Sequence, residues 1–195
     1  SKTATGEVTD AYLANDTLVA LARLNSNRSF TSNYAGEVYT MTADVDETAG
    51  NTFTINGKID GDLISTIDAD GHKMFDMQNG GTIVLNDVKI ENAMSDSNGA
   101  VLHVGEDASA IINNVTFSNN GTTGKLGGGV LFNEGVIGSC LADFYGNLTT
   151  SADGGSNSYG GNGGAILNAG TITTMQGVFE SNTASNAYGG GIMNL

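Results

Sequence analysis

The chain has 195 residues, enough for one sizeable core or a run of stacked repeats, and it carries 21 acidic against 7 basic side chains, a net charge of −14. Such a surface repels phosphate backbones and anionic lipid, which argues against nucleic acid and membrane surfaces as partners. One cysteine, Cys140, excludes an internal disulfide framework and a cysteine zinc site, and no run reaches the ~18 apolar residues that would insert this segment in a bilayer.

The composition is uneven. Residues 1–100 hold 15 of the acids, while 21 of the 29 glycines lie from Gly99 onward, and proline and tryptophan are absent. Asn, Ser, Thr and Gly fill the polar positions, as is common in secreted bacterial β-proteins. Alternating apolar runs argue against disorder. No signal-peptide pattern is present in these residues and they stop just after a glycine-rich step has opened, so the expectation is an N-terminal part of a longer protein, truncated at its C-terminal end.

In chain order, residues 1–34 form a cap distinct from the rest. Asp16 suits a helix N-cap, and Leu18, Val19, Leu21, Ala22 and Leu24 follow at the spacing of one short amphipathic helix. The helix would cover the open end of a solenoid. From Glu37 the period changes to two: Val38, Thr40 and Thr42 alternate with Tyr39, Met41 and Ala43, and 51–57 repeat the pattern into an Asn-Gly turn.

Three strand types then recur. The first is 73–77, 100–104, 130–133 and 165–168; the second 82–85, 110–113, 136–138 and 171–173; the third 88–90, 115–117, 141–144 and 177–179. The third type ends at Ile90, Phe117, Phe144 and Phe179, in steps of 27, 27 and 35, the extra length falling in the loop-like run 151–160. A near-constant rung with one insertion predicts an all-β right-handed parallel β-helix over 35–195, a pectin-lyase-like solenoid with three short strands per rung. Rungs about 4.8 Å apart would then stack Ile, Val, Leu and Phe in columns.

Two motifs mark each rung. Glycine-rich steps stand at Gly127-Gly128-Gly129-Val130, Gly163-Gly164-Ala165-Ile166 and Gly189-Gly190-Gly191-Ile192, with Asn98-Gly99-Ala100-Val101 as a weaker copy. They admit positive φ and close backbone approach at a corner. Phe117 leads to Asn120, Phe144 to Asn147 and Phe179 to Asn182, with Ile90-Glu91-Asn92 as a decayed copy. Each Asn suits a bend, since it tolerates the left-handed region and bonds nearby backbone.

Together these motifs, over 72–195, resemble the repeats of the polymorphic outer membrane proteins, known from chlamydial surface proteins and related autotransporter passengers. The resemblance implies a β-helical passenger exported through a C-terminal barrel and acting as an adhesin at the bacterial surface. No barrel is visible in this chain.

The search for chemistry yields no catalytic residue. A lyase base is hard to find, because the half after residue 100 has no Arg and only Lys125. A glycosidase pair is conceivable among Asp60, Asp62, Asp68, Asp70 and Asp76, but Asp-Gly and Asp-Ala-Asp-Gly are turn sequences. Asp68 and Asp70 partly imitate a calcium loop without its later ligands, and the cluster at Asp44, Asp46 and Glu47 is similar. His72 and His103 lie about one rung apart with no third ligand, and read as strand-edge residues. Cys140 reads as a small buried apolar residue. Tyr145, Tyr159 and Tyr188 lie near loops, and Asn157 and Tyr159 mark a candidate binding loop.

The expected function is a non-catalytic display and binding module of an extracellular or outer-membrane-surface adhesin, needing no cofactor. Its partner would be a host-cell or other surface protein or glycan. Two alternatives are a carbohydrate-active β-helix, hydrolase or lyase, and a structural protein that self-associates through β-helix ends.

Overall fold

The computed structural model describes residues 18–21, 26–45, 50–150, 161–185 and 187–195. They wind as a parallel β-helix, and its strands stack into three sheets. The long face contains, rung upon rung, Arg28–Thr31, Thr52–Asn56, Thr82–Glu91, Ser109–Ser118, Val136–Tyr145 and Thr171–Ile172. A second face stacks Phe75–Met77, Leu102–Val104, Leu131–Asn133, Ile166–Asn168 and Ile192–Asn194, and a third stacks Met94–Ser95, Gly121–Thr122, Leu148–Thr150 and Thr183–Ser185. Among the described residues pairing is parallel except for one hairpin, Ile59–Asp60 with Leu63–Asp68.

Three strands per rung is right, but their division differs from the expectation. The second and third predicted types are one continuous strand, bent in the middle. In Ser109–Ser118 the inward side chains are Ala110 and Ile112, then Val115 and Phe117, so one extra residue is spent at the bend and the period-two phase jumps. Asp87 and Asn114 sit there at φ 53° each. That phase jump reads in a sequence as two strands. The true third face was missed because two- and three-residue strands show no period.

The expected columns form. Phe117 and Phe144 stack with ring centroids 5.1 Å apart, and Phe144 and Phe179 at 4.6 Å. Cα pairing places Ile67, Ile90, Phe117 and Phe144 successively below Phe179. All but Phe179 are fully buried, and burying each such side chain contributes about 1.5–3 kcal/mol before entropy is counted.

The N-terminal cap is present as a helical turn at 18–21, with Leu18, Val19 and Leu21 buried in the core. Arg28 ties it down: its Nε donates to Leu21 O at 2.7 Å, and its guanidinium lies 4.9 Å from the centroid of the Phe53 ring. Arg28–Thr31 already pairs in parallel with Thr52–Asn56, so the solenoid starts before residue 35. Asp16, Ala22 and Leu24 lie outside the described residues.

The glycine motifs align one residue differently from their spelling. Leu102, Leu131, Ile166 and Ile192 are in register, so Gly128, not Gly127, matches Gly163 and Gly189. Gly99, Gly128, Gly163 and Gly189 hold φ between 67° and 71°. A Cβ at Gly163 would stand 2.0 Å from Ile166 O, a contact no side chain can make.

In the Phe-Xaa-Xaa-Asn step the residue in the left-handed region is the one before the Asn: Asn119 at 55°, Gly146 at 62°, Ser181 at 58°. The Asn itself turns inward. Asn120 Nδ2 donates to Asn147 Oδ1 at 3.1 Å and Asn147 Nδ2 to Asn182 Oδ1 at 2.8 Å, with Asn120 and Asn147 buried. Each Nδ2 also reaches a carbonyl of the rung below, Ile90 O, Phe117 O and Phe144 O. Asn92 keeps the left-handed φ of 59° in the decayed copy, while Ala93 takes the ladder position.

The described residues hold two further amide ladders. Asn133, Asn168 and Asn194 form one on the second face, with Nδ2 to Oδ1 distances of 2.6 Å. Its first carbonyl, Asn133 Oδ1, is buried without a partner because Val104 occupies the position one rung below. Asn113, Asn86 and Asn56 form the other at the bend of the long face.

Candidate functional site

With the inward positions spent on columns and ladders, chemistry is confined to the outward side chains and corners. The most connected outward group lies on the second face, where one residue per rung gives the column Asp76, His103, Phe132. His103 Nδ1 is 2.9 Å from Asp76 Oδ1 and its Nε2 is 2.8 Å from Glu134 Oε2. The imidazole stacks on Phe132 at 4.9 Å between centroids. Gln78 Nε2 donates to Asp76 Oδ1 at 2.8 Å, and Lys73 Nζ lies 3.4 Å from Asp76 Oδ2.

Electrostatically this is a closed set. Burial alone would depress the His103 pKa, but the hydrogen bonds to Asp76 and Glu134 outweigh it and raise the value. Burial likewise works to raise the Asp76 pKa, and the bonds from His103 and Gln78, helped by the charges of His103 and Lys73, hold it well below the usual carboxylate range. Both ring nitrogens face carboxylates, and the imidazole fills the gap between Asp76 and Glu134. The group therefore clamps three rungs together.

The other acids of the predicted set sit in turns. Asp68 Oδ1 accepts from Asp70 N at 3.0 Å and from Asn92 Nδ2 at 3.0 Å, an internally bonded turn. Asp60 belongs to the hairpin, opposite Leu63, and Asp62 is exposed in its loop. Among the described residues no three His, Cys, Asp or Glu side chains converge as a metal site. His72 does not join His103; its Nδ1 lies 2.9 Å from Asp44 Oδ1 in a separate turn. Asp46 and Glu47 lie outside the described residues. Cys140 is buried under Met175, and burial pushes its thiol pKa up to about 12.

The flank beside the glycine corners is built by side-chain caps. Asn98 Oδ1 accepts from Leu126 N and Gly127 N, and Asn162 Oδ1 accepts from Tyr188 N. The loops 93–99 and 121–126 stack against 161–163 there, through Gly161 N to Lys125 O and Asn162 N to Leu126 O. Tyr188 is exposed on this flank, whereas Tyr145 belongs to the long face, opposite Glu180. The predicted binding loop, with Asn157 and Tyr159, lies outside the described residues.

One concavity was not foreseen. In Val136–Tyr145 the inward phase jump comes at Gly138 and Ser139, two rather than four residues after the strand has begun. The ladder with Ser109–Ser118 therefore slips twice, between Ala110 and Ile111 and between Asn113 and Val115. Asn114 is left without a Cα partner in that pairing and Leu141 is turned outward, more than a third exposed. The mismatch opens a groove of about 450 Å³ along the bend, whose lining includes Asn114, Thr116, Leu141, Asp143 and Gln176. Aligning the rungs at their period of 27 would have paired Asp76 with His103, though Phe132 and Glu134 lie 29 and 31 residues beyond it, and the groove depends on a two-residue difference in where each strand bends.

No described helix is long and apolar enough to cross a membrane. Compared with protein-family models, curated proteins and solved structures, the chain matches none.

Proposed function

We propose that this chain is a non-catalytic display and binding module, the β-helical passenger segment of a bacterial surface or secreted adhesin. The observation that carries this reading is how the repeated residues are used. The Phe, Asn and Gly of each motif are spent on rung-to-rung contacts: the phenyl column, the amide ladder and the tight corner. A scaffold fixed from inside leaves its flank loops and outer grooves free to vary, and a long lateral surface binds through many modest contacts. The titratable cluster at His103 fits the same reading, because its groups are bonded to one another. The likeness of the motifs to polymorphic outer membrane protein repeats supplies the bacterial-surface part of the proposal.

The test is binding of the purified chain to cultured host cells and to a panel of surface proteins, with a variant shortened across 151–162. Saturable binding that the shortened variant loses supports adhesion. Release of reducing sugar or unsaturated product from a polysaccharide panel would replace it with the carbohydrate-active alternative. Concentration-dependent fibres would favour self-association through the ends.

A further inference from the structure

We infer that the groove at the bend of the long face is a binding site for an uncharged oligosaccharide chain. The inference deepens the binding role proposed above and rests on it. Polar groups in the groove are mostly acceptors. In the bend ladder Asn113, which lines the groove, donates its Nδ2 to Asn86 Oδ1 at 3.0 Å and retains its own carbonyl as an acceptor. Asn114 donates its Nδ2 to Asp87 Oδ1 at 2.7 Å, which leaves its own carbonyl as an acceptor. The Asp143 carboxylate accepts from Val178 N at 2.8 Å and is hydrogen-bonded to Tyr145 as well. The Gln176 amide and the Thr116 hydroxyl add groups that both donate and accept.

A ligand suited to this lining carries many hydroxyl donors and apolar C–H faces. Leu141 stands exposed in the lining as its apolar surface, while Val115 and Ala142 turn their side chains inward. Pyranose rings have that mixture. The volume of about 450 Å³ falls in the range of small-ligand sites, and the open form suits a chain lying lengthwise. An anionic glycan is disfavoured, since among the described residues no basic side chain lines the groove and the chain carries net charge −14. A cationic peptide would meet a single carboxylate, already bonded to Val178 N and Tyr145, among neutral amides.

The experiment is titration calorimetry of the full chain with maltohexaose, cellohexaose and the hexamer of N-acetylglucosamine, alongside a galacturonate hexamer and hexalysine. Asn114→Gly, which keeps the positive φ, Thr116→Val and Gln176→Ala are compared with Asp62→Ala on the distant hairpin, each checked for folding by circular dichroism. The expected result is binding of a neutral hexamer, weakened about tenfold by a groove variant and unchanged by Asp62→Ala. Absence of neutral-glycan binding, binding of hexalysine or galacturonate instead, or equal affinity in all variants overturns the inference. In each of those cases host-cell binding that still depends on 151–162 leaves the display reading standing, so the two failures are separable.

Discussion

Replacing Asn147 by leucine tests whether the buried amide ladder holds the rungs together. Asn147 is fully buried and its side chain makes four hydrogen bonds: Nδ2 to Phe117 O at 3.1 Å and to Asn182 Oδ1 at 2.8 Å, and Oδ1 from Asn120 N at 3.0 Å and from Asn120 Nδ2 at 3.1 Å. Leucine has a similar volume, so little cavity is created. At about 0.5–1.5 kcal/mol for each bond the loss is about 2–6 kcal/mol, the upper end applying if the Asn120 N–H finds no new acceptor. That is a large share of the ~5–15 kcal/mol by which domains are stable, and corresponds to a fall in Tm of roughly 4–24 °C for a chain of this size. The assay is urea unfolding followed by far-ultraviolet circular dichroism, with Asn119→Gly as a control at the exposed left-handed position beside the ladder. A loss below about 1 kcal/mol, or one equal to that of the control, would refute the ladder as a stabilising element.

Three other outcomes follow from the same geometry. Val104→Thr places a hydroxyl donor beside the unpartnered Asn133 Oδ1, so it is expected within about 0.5 kcal/mol of the parent, whereas Val101→Thr, buried on the same strand approach, costs about 1–3 kcal/mol; equal losses in urea unfolding would contradict this. Because the His103 pKa is raised in the fold, its stabilisation is complete below the unfolded value of about 6.5 and is lost as pH climbs through the folded value. The depressed Asp76 contributes above its unfolded value of about 3.9 and is lost as pH falls through its folded one, so the pair stabilises most between roughly pH 4 and 6.5. His103→Gln should flatten the pH dependence of Tm on the alkaline side, and an unchanged profile would count against the clamp. Finally, the Cys140 thiol, buried and with its pKa pushed up to about 12, should resist a disulfide reagent in the folded chain and react only as fast as the chain opens. Immediate reaction at neutral pH would place it at the surface.

The rung and its contents were legible in the amino-acid order because each depends on short-range rules repeated at a fixed step. Alternation marks inward residues, glycine marks corners that need positive φ, and the recurrence at Phe117, Phe144 and Phe179 stacks them in one column. What the order of residues did not reveal depends on pairing between rungs. The function of Asn120 and Asn147 as a ladder rather than as bends requires the partner one turn away, and so does the His103 clamp, whose carboxylates come from the rungs on either side. The third face consists of strands too short to have a period, and the groove arises because Ser109–Ser118 and Val136–Tyr145 bend at different residues. Local periodicity thus determined that this chain coils and what fills it, while register between coils, a relation among residues some 27 positions apart, decided which polar groups are spent internally and which remain to meet a partner.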